Sequence, residues 1–299
     1  MNIRSGFIAI VGKPNAGKST LLNALIKQKV SIVSPKAQTT RNNILGILNG
    51  DNHQLIFVDT PGYNTTKTKL DSFMQKGIKG AISGVDVIIL AVDSTKKWTN
   101  EDRETVDKYA NIAPLILAVT KIDLVSKADM FVKLSELNNL EKVKDIIPIS
   151  SLKNKNIDTL IVQLLKYVPE IDGKNRYFNE DMYTDKSLRF IVSEIIREKA
   201  LYFLDREIPH GIAVAIEQYK EDEKLTVIDA AIICEKDSHK GIIIGKRGNM
   251  LKKIGHDSRV SIQKVIHGKV VLNLFVKVKE NWRDDPAFLA EIGYNEKEI

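Results

Sequence analysis

Residues 12–19 read Gly12-Lys13-Pro14-Asn15-Ala16-Gly17-Lys18-Ser19, with Thr20 next, directly after the apolar run Phe7-Ile8-Ala9-Ile10-Val11. The run predicts a buried strand. Gly12 and Gly17 permit a tight turn and close backbone approach. Leu21, Leu22, Ala24, Leu25 and Ile26 predict an apolar helix starting at once. Strand, glycine turn and helix N-terminus together aim backbone N–H groups at one point, an arrangement that suits phosphate. In that frame Lys18 reaches the outer two phosphates of a nucleotide and Ser19 holds Mg2+. Lys13, Pro14, Asn15, Ala16 and Thr20 complete the expected contacts of the loop.

Three further strand ends narrow the ligand. Asp59-Thr60-Pro61-Gly62 follows Leu55-Ile56-Phe57-Val58. An Asp there can hold Mg2+ through water, and the Gly62 N–H can bind the terminal phosphate. Thr120-Lys121-Ile122-Asp123 follows the buried run Leu115-Ile116-Leu117-Ala118-Val119. The Asp123 carboxylate matches the N1–H and amino group of guanine, and adenine would leave it unpaired. The Lys121 stem can lie over the base. Ser150, Ser151 and Leu152 close a fourth strand, where backbone can support the guanine carbonyl.

These motifs, in this order, resemble a translation-factor-related GTPase. The loop sequence, with Gln38-Thr39-Thr40-Arg41 between the first two motifs, resembles the Era family. The resemblance implies GTP and GDP with Mg2+, and it makes Thr40, ahead of Thr39, the switch threonine that joins Ser19 and Asp59 around the metal. It assigns catalysis to Lys18, Thr40, Gly62 and Asn15. Thr120 departs from the usual Asn, with a hydroxyl of shorter reach, and Ser151 departs from Ala. Tyr63 stands where Ras-like enzymes carry a water-orienting Gln, so hydrolysis is expected to be slow. Asn15 resembles the Asn that ligates K+ in related GTPases, and it can equally stabilise the turn.

The chain has 299 residues, 43% hydrophobic and 28% charged, room for two globular domains. The expected division is a GTPase domain at 1–169, a linker at 170–186 around Pro169 and Gly173, and a second domain at 187–299. Apolar strands alternating with helices, such as 101–109 and 157–168, predict an α/β domain with a mostly parallel sheet. The polar stretch 64–71 is expected to be a mobile switch. Cys234 is the one cysteine, which excludes an internal disulfide framework. The first strand begins within a few residues, so no signal peptide is expected. The longest apolar stretch, 85–92, contains Asp86 and is too short to span a bilayer.

A net charge of +7 is compatible with a polyanionic partner. In the second half, 188–204 has helical spacing with Arg197-Glu198-Lys199 on its polar side, and 212–216 and 225–233 read as strands. Gly245-Lys246-Arg247-Gly248 then joins two short helices, with Lys252 and Lys253 just beyond. A GXXG turn between helices is the clamp of KH domains, which grips about four backbone nucleotides. The order helix, strand, strand, helix, helix, strand resembles a smaller α+β domain, the type II KH domain. Trp282 is open to two readings, a base-stacking platform or a packing residue. Ser258 and Gln263 depart from the family's usual Ala and Glu.

The resemblance implies RNA near the 3′ end of small-subunit ribosomal RNA as partner, a role in assembly of the small ribosomal subunit, and no DNA. It also implies a cytoplasmic protein, with peripheral membrane association known among family members. In the GTP state residues 31–41 and the segment after Gly62 would order, and the KH domain would move. The alternatives are a metabolic P-loop kinase or ATPase, opposed by the Thr120–Asp123 motif, a GTPase switch that binds another RNA, and a membrane-linked signalling GTPase, for which no lipidation motif speaks.

Overall fold

The structure, a computed structural model, describes residues 2–34, 36, 39–62 and 67–294. It divides into two compact units. The first comprises Met1–Ser31, Thr40–Tyr63 and Gln75–Asp185, and the second comprises Ile32–Thr39, Asn64–Met74 and Lys186–Ile299.

The chain begins β1 (Asn2–Val11), α1 (Lys18–Ile26), β2 (Ile44–Gly50), β3 (His53–Asp59), α2 (Lys69–Ala81) and β4 (Val87–Asp93). It continues α3 (Asn100–Ala110), β5 (Leu115–Thr120), α4 (Lys127–Leu137), β6 (Val143–Pro148), α5 (Ile157–Leu164) and β7 (Glu170–Asp172). The sheet runs β2-β3-β1-β4-β5-β6, with β7 on β1. β2 and β7 pair antiparallel and the other neighbours parallel. All six residues of β5 are buried, as a strand covered on both faces requires. Parallel neighbours need crossover helices. The loops at the carboxyl ends of β1, β3 and β5 therefore fall on one edge of the sheet, and the first three motifs occupy them.

Two expectations change here. The helix expected over 157–168 stops at Leu164, and Lys166 and Tyr167 close a tighter turn on Gln163 O and Leu164 O. Part of the expected linker is a strand, because Asn2–Arg4 extends β1 far enough to pair Glu170–Asp172. The chain to Asp185 then lies along β2 and β3. Asn49 donates to Glu180 O and Met182 O, Gln54 to Phe178 O, and Thr184 to Leu45 O.

The second unit contains α6 (Leu188–Phe203), β8 (Ala213–Glu221), β9 (Thr226–Cys234), α7 (Asp237–Ile244), α8 (Asn249–Ile266), β10 (Val270–Val278) and α9 (Pro286–Glu291). Its sheet runs β10-β9-β8, with β9 and β10 parallel. The helices cover one face with apolar side chains: Val192 and Ile196 of α6, Ile243 of α7 and Ile254 of α8 share a core with Ile228 and Ile232. A second cluster joins Ala213, Ala231 and Ile233 to Trp282, Phe288 and Tyr294, together with Leu70, Phe73 and Met74. Trp282 is buried and its Nε1 donates to Gly211 O at 3.1 Å, so it is a packing residue.

Two more corrections belong to this unit, and one expected stretch lies partly outside the described residues. α8 has 18 residues and is not short. Of the stretch 64–71, residues 64–66 lie outside the described residues. The remainder caps α2: Thr68 donates to Asp71 Oδ2, and the Asp71 N–H returns to Thr68 Oγ1. Arg197 and Glu198 are not on a polar face. They are 1% and 7% exposed, since each has found internal partners.

Candidate nucleotide site and basic loop

The turn after β1 needs glycine at position 12, where φ is 146° and a Cβ would lie 2.5 Å from Ala91 O. Asn15 also has a left-handed backbone, φ 62°. α1 begins at Lys18 with no side-chain cap at Gly17. Its first N–H groups are therefore turned to the loop as anion donors. Lys18 Nζ lies on the loop's own carbonyls, Gly12 O at 2.9 Å and Lys13 O at 3.0 Å. The Lys13 side chain points elsewhere, to Asp102 at 2.8 Å and Glu101 at 3.3 Å, which leaves its backbone for phosphate.

Burial lowers the Lys18 pKa to about 8, with Asp59 pulling the other way. A bound phosphate favours the charged form, so above that pH binding must take up a proton. Affinity is then highest below pH 8 and falls as pH rises through it. Between pH 7 and 9 GDP binding should weaken roughly tenfold. Calorimetry in buffers of different ionisation heat reads the proton uptake. An affinity flat over this range would show that Lys18 is held charged without nucleotide.

Asp59 is fully buried at the end of β3. Its Oδ2 accepts from Ser19 at 2.7 Å, Ser31 at 2.9 Å and Thr40 at 3.5 Å, and Ser19 Oγ lies 2.8 Å from Thr40 Oγ1. Asp59 Oδ1 is buried with no partner among the described residues. Burial pushes this carboxyl's pKa up, against Lys18 and the three hydroxyls. A buried carboxylate with one oxygen orphaned and the other held by the Ser19 and Thr40 hydroxyls supplies oxygen donors of the kind Mg2+ takes. Ser19, Thr40 and Asp59 thus fit the ion. Thr39 does not join them, since its hydroxyl donates to Lys36 O at 2.7 Å. Ser31 was not expected. The Asn23 side chain places it by accepting from the Val30 and Ser31 N–H groups, and no local sequence pattern marks that contact. Thr60 donates to Ile10 O at 2.9 Å, and Gly62 packs on Pro14, where a Cβ would come within 3.0 Å of its Cγ. Gln38 and Tyr63 lie outside the described residues.

At the other end, Thr120 is buried and its hydroxyl donates to Ala16 O at 2.7 Å, with Val92 O at 3.1 Å. The tie between loops that the usual Asn would make is therefore made by Thr120. Lys121 Nζ pairs with Asp93 Oδ2 at 2.7 Å, a partner the sequence did not indicate. Asp123 Oδ1 accepts from Ser150 Oγ at 2.6 Å, which orients the carboxylate. Ser151 and Leu152 follow in a turn, with Leu152 exposed.

In the second unit, Gly245 has φ 73° between α7 and α8, and a Cβ there would meet Met250 Cβ at 2.7 Å. Arg247 has φ 53°, and α8 starts without a side-chain cap at Gly248. Lys246, Arg247, Lys252 and Lys253 are all exposed. Lys253 Nζ stands 4.4 Å over the Phe203 ring. Uncapped helix N–H groups and four cations around one turn offer sequence-independent contacts to phosphate. Ser258 is buried against the core, so it does not face a ligand.

A phosphate loop, a Mg2+ donor set and a guanine-matched carboxylate, followed by a GXXG clamp, define a P-loop GTPase carrying a KH domain. Residues 7–121 match the family described as 50S ribosome-binding GTPase, and 207–283 match the KH domain. The chain is 47% identical to GTPase Era of Clostridium botulinum (strain Okra) over 293 residues, 97% of this chain and 98% of that one. It is 46% identical to GTPase Era of Clostridium acetobutylicum over 292 residues, again 97% and 98%. Two solved structures are similar, each with TM-score 0.91 and 39% identity over 98% of this chain and 99% of the other. One is Era in complex with MgGDPNP and nucleotides 1506–1542 of 16S ribosomal RNA, and the other is a tyrosine-to-alanine variant of Aquifex aeolicus Era bound to GDP·AlF4−. The chain belongs to the Era family of GTPases. As a member it binds GTP and hydrolyses it to GDP and phosphate.

Proposed function

We propose that this GTPase is a switch that binds small-subunit ribosomal RNA near its 3′ end and acts in assembly of the small ribosomal subunit. The observation that carries the reading is the gathering of Ser19 and Thr40 within hydrogen-bond reach of Asp59, whose other carboxylate oxygen is buried without a partner among the described residues. Thr40 lies in the stretch between α1 and β2, so a nucleotide that keeps Mg2+ and a terminal phosphate would order that stretch. Hydrolysis would release it. The nucleotide domain is 1–169, the connector 170–186 and the KH domain 187–299. Gly12 to Thr20 and Asp59 to Gly62 hold the phosphates, with Lys18 and the Gly62 N–H on the terminal one. Thr120, Lys121, Asp123 and Ser150 to Leu152 hold the base. Gly245 to Gly248, Lys252 and Lys253 hold RNA.

The place of action is the cytoplasm, and any membrane contact is peripheral. Among the described residues no helix is long and apolar enough to cross a membrane. Crosslinking of the protein to cellular RNA, with a non-hydrolysable GTP analogue and then with GDP, tests the reading. Crosslinks should map to the 3′ end of small-subunit RNA and be stronger with the analogue. Crosslinks spread over unrelated RNAs, or equal in both states, would sink it. Asn15 ligates K+ in this scheme, supplying positive charge that an arginine finger supplies elsewhere. Exchanging potassium for sodium should then slow hydrolysis, and equal rates would remove the ion from the mechanism.

A further inference from the structure

β4 and β5 pair in parallel with Asp93 opposite Thr120, so the residues that follow the two strands leave side by side. Three contacts join them. The Ser94 N–H donates to Thr120 O at 3.1 Å, Ser94 Oγ donates to Lys121 O at 3.1 Å, and Lys121 Nζ donates to Asp93 Oδ2 at 2.7 Å. The other carboxylate oxygen of Asp93 accepts from the Thr95 N–H at 2.9 Å and from Thr95 Oγ1 at 2.7 Å. Both oxygens are therefore engaged, and the carboxylate plane is fixed before any nucleotide arrives. Burial works against its ionisation, but the bonds from Lys121 and Thr95 outweigh that and hold the Asp93 carboxyl below its ordinary range.

Lys121 needs such a hold for two reasons. Its backbone is left-handed, φ 60° and ψ 32°, a conformation that a residue with a Cβ seldom adopts and keeps only where its surroundings impose it. Here its carbonyl is bound twice, by Ser94 Oγ and by the Leu124 N–H at 3.0 Å. Its side chain is a long flexible stem, and a free lysine gives up that freedom when a ligand packs on it. The Lys121 side chain is 33% exposed, so packing alone does not order it, whereas the Asp93 side chain that anchors it is 10% exposed. A stem fixed at its Cα by the turn and at its Nζ by the carboxylate is extended in advance.

We infer that Asp93 is a positioning residue for guanine-nucleotide binding: it anchors Lys121 Nζ so that the stem already lies where the base will pack. This rests on the proposed placement of that stem over guanine. GTP and GDP carry the same base, and Asp93 is not among the residues proposed to hold the phosphates. Losing the anchor should therefore weaken both nucleotides alike and spare the chemical step.

Asp93→Asn keeps an oxygen for the Thr95 turn and removes the charge that holds Lys121. Affinity for GDP and for a non-hydrolysable GTP analogue should each fall roughly three- to tenfold, the effect of having to order one rotamer-rich side chain on binding. Their ratio should not change; KM for GTP should rise while kcat stays close to wild type. Lys121→Met keeps an unbranched stem without the charge and should lose as much as Asp93→Asn. Adding Asp93→Asn to Lys121→Met should then cost nothing further. A role for Asp93 in the turn alone would persist in that background, so a second, equal loss overturns the inference, as does wild-type affinity in Asp93→Asn. Lys121→Ala removes the stem itself. If it binds GDP as tightly as wild type, it is the placement over the base that fails; if it binds weakly while Asp93→Asn binds as wild type, only the anchor is removed.

Discussion

Replacing Asp123 by Asn should move the protein's preference from GTP to xanthosine triphosphate. In the proposed base site the carboxylate would accept from two guanine donors, N1–H and the amino group. One of its oxygens is already fixed by Ser150 Oγ at 2.6 Å, so the group is aimed before nucleotide arrives. An Asn there presents its amide NH2 to the guanine amino group, donor against donor. Xanthine carries a carbonyl at that place and restores the match. Sites that lose a polar partner in this way discriminate strongly, and a loss of GTP affinity of roughly a hundredfold or more is expected. Competition titration with the two triphosphates, in wild type and variant, reads the change. A variant that still strongly prefers GTP would mean that Asp123 does not read the base.

The features legible in the sequence are those where backbone geometry demands one residue type. Gly12 has no room for a Cβ beside Ala91 O, and Gly245 none beside Met250, so both loops announced themselves. Asp59 and Asp123 were legible because a carboxylate at the end of an apolar strand has few other uses. What failed to show was anything that depends on a partner far along the chain. Ser31 reaches Asp59 only because the Asn23 side chain turns the loop toward it. Glu170–Asp172 looked like linker because three residues carry no strand period, and pairing with Asn2–Arg4 decides the matter. Arg197 and Glu198 were placed on a polar face because helical spacing separates charged from apolar positions and cannot tell a solvated charge from a buried, paired one. Thr120 has a shorter reach than the usual Asn, and the sequence could not show that Ala16 O comes within 2.7 Å of its hydroxyl.

Lys246→Asp combined with Arg247→Asp should abolish RNA binding and leave intrinsic GTP hydrolysis close to wild type. Both residues sit on the turn between α7 and α8, and neither is among the buried residues that hold the core together. Arg247 already sits at φ 53°, a conformation Asp tolerates better than most residues, so the turn should survive the change. The nucleotide residues belong to the first unit and the turn to the second, which is why the two activities should separate. Reversing two charges at a phosphate clamp replaces attraction by repulsion. The milder pair Lys246→Ala and Arg247→Ala measures how many phosphate contacts were lost. For single strands each contact contributes about 0.7 to the slope of log affinity against log salt, so removing two should flatten it by roughly 1.4. Filter binding of a 3′-end RNA fragment over a salt series gives that slope directly. An alanine pair with the wild-type slope would place the clamp elsewhere on the surface and take the RNA-binding role away from this turn.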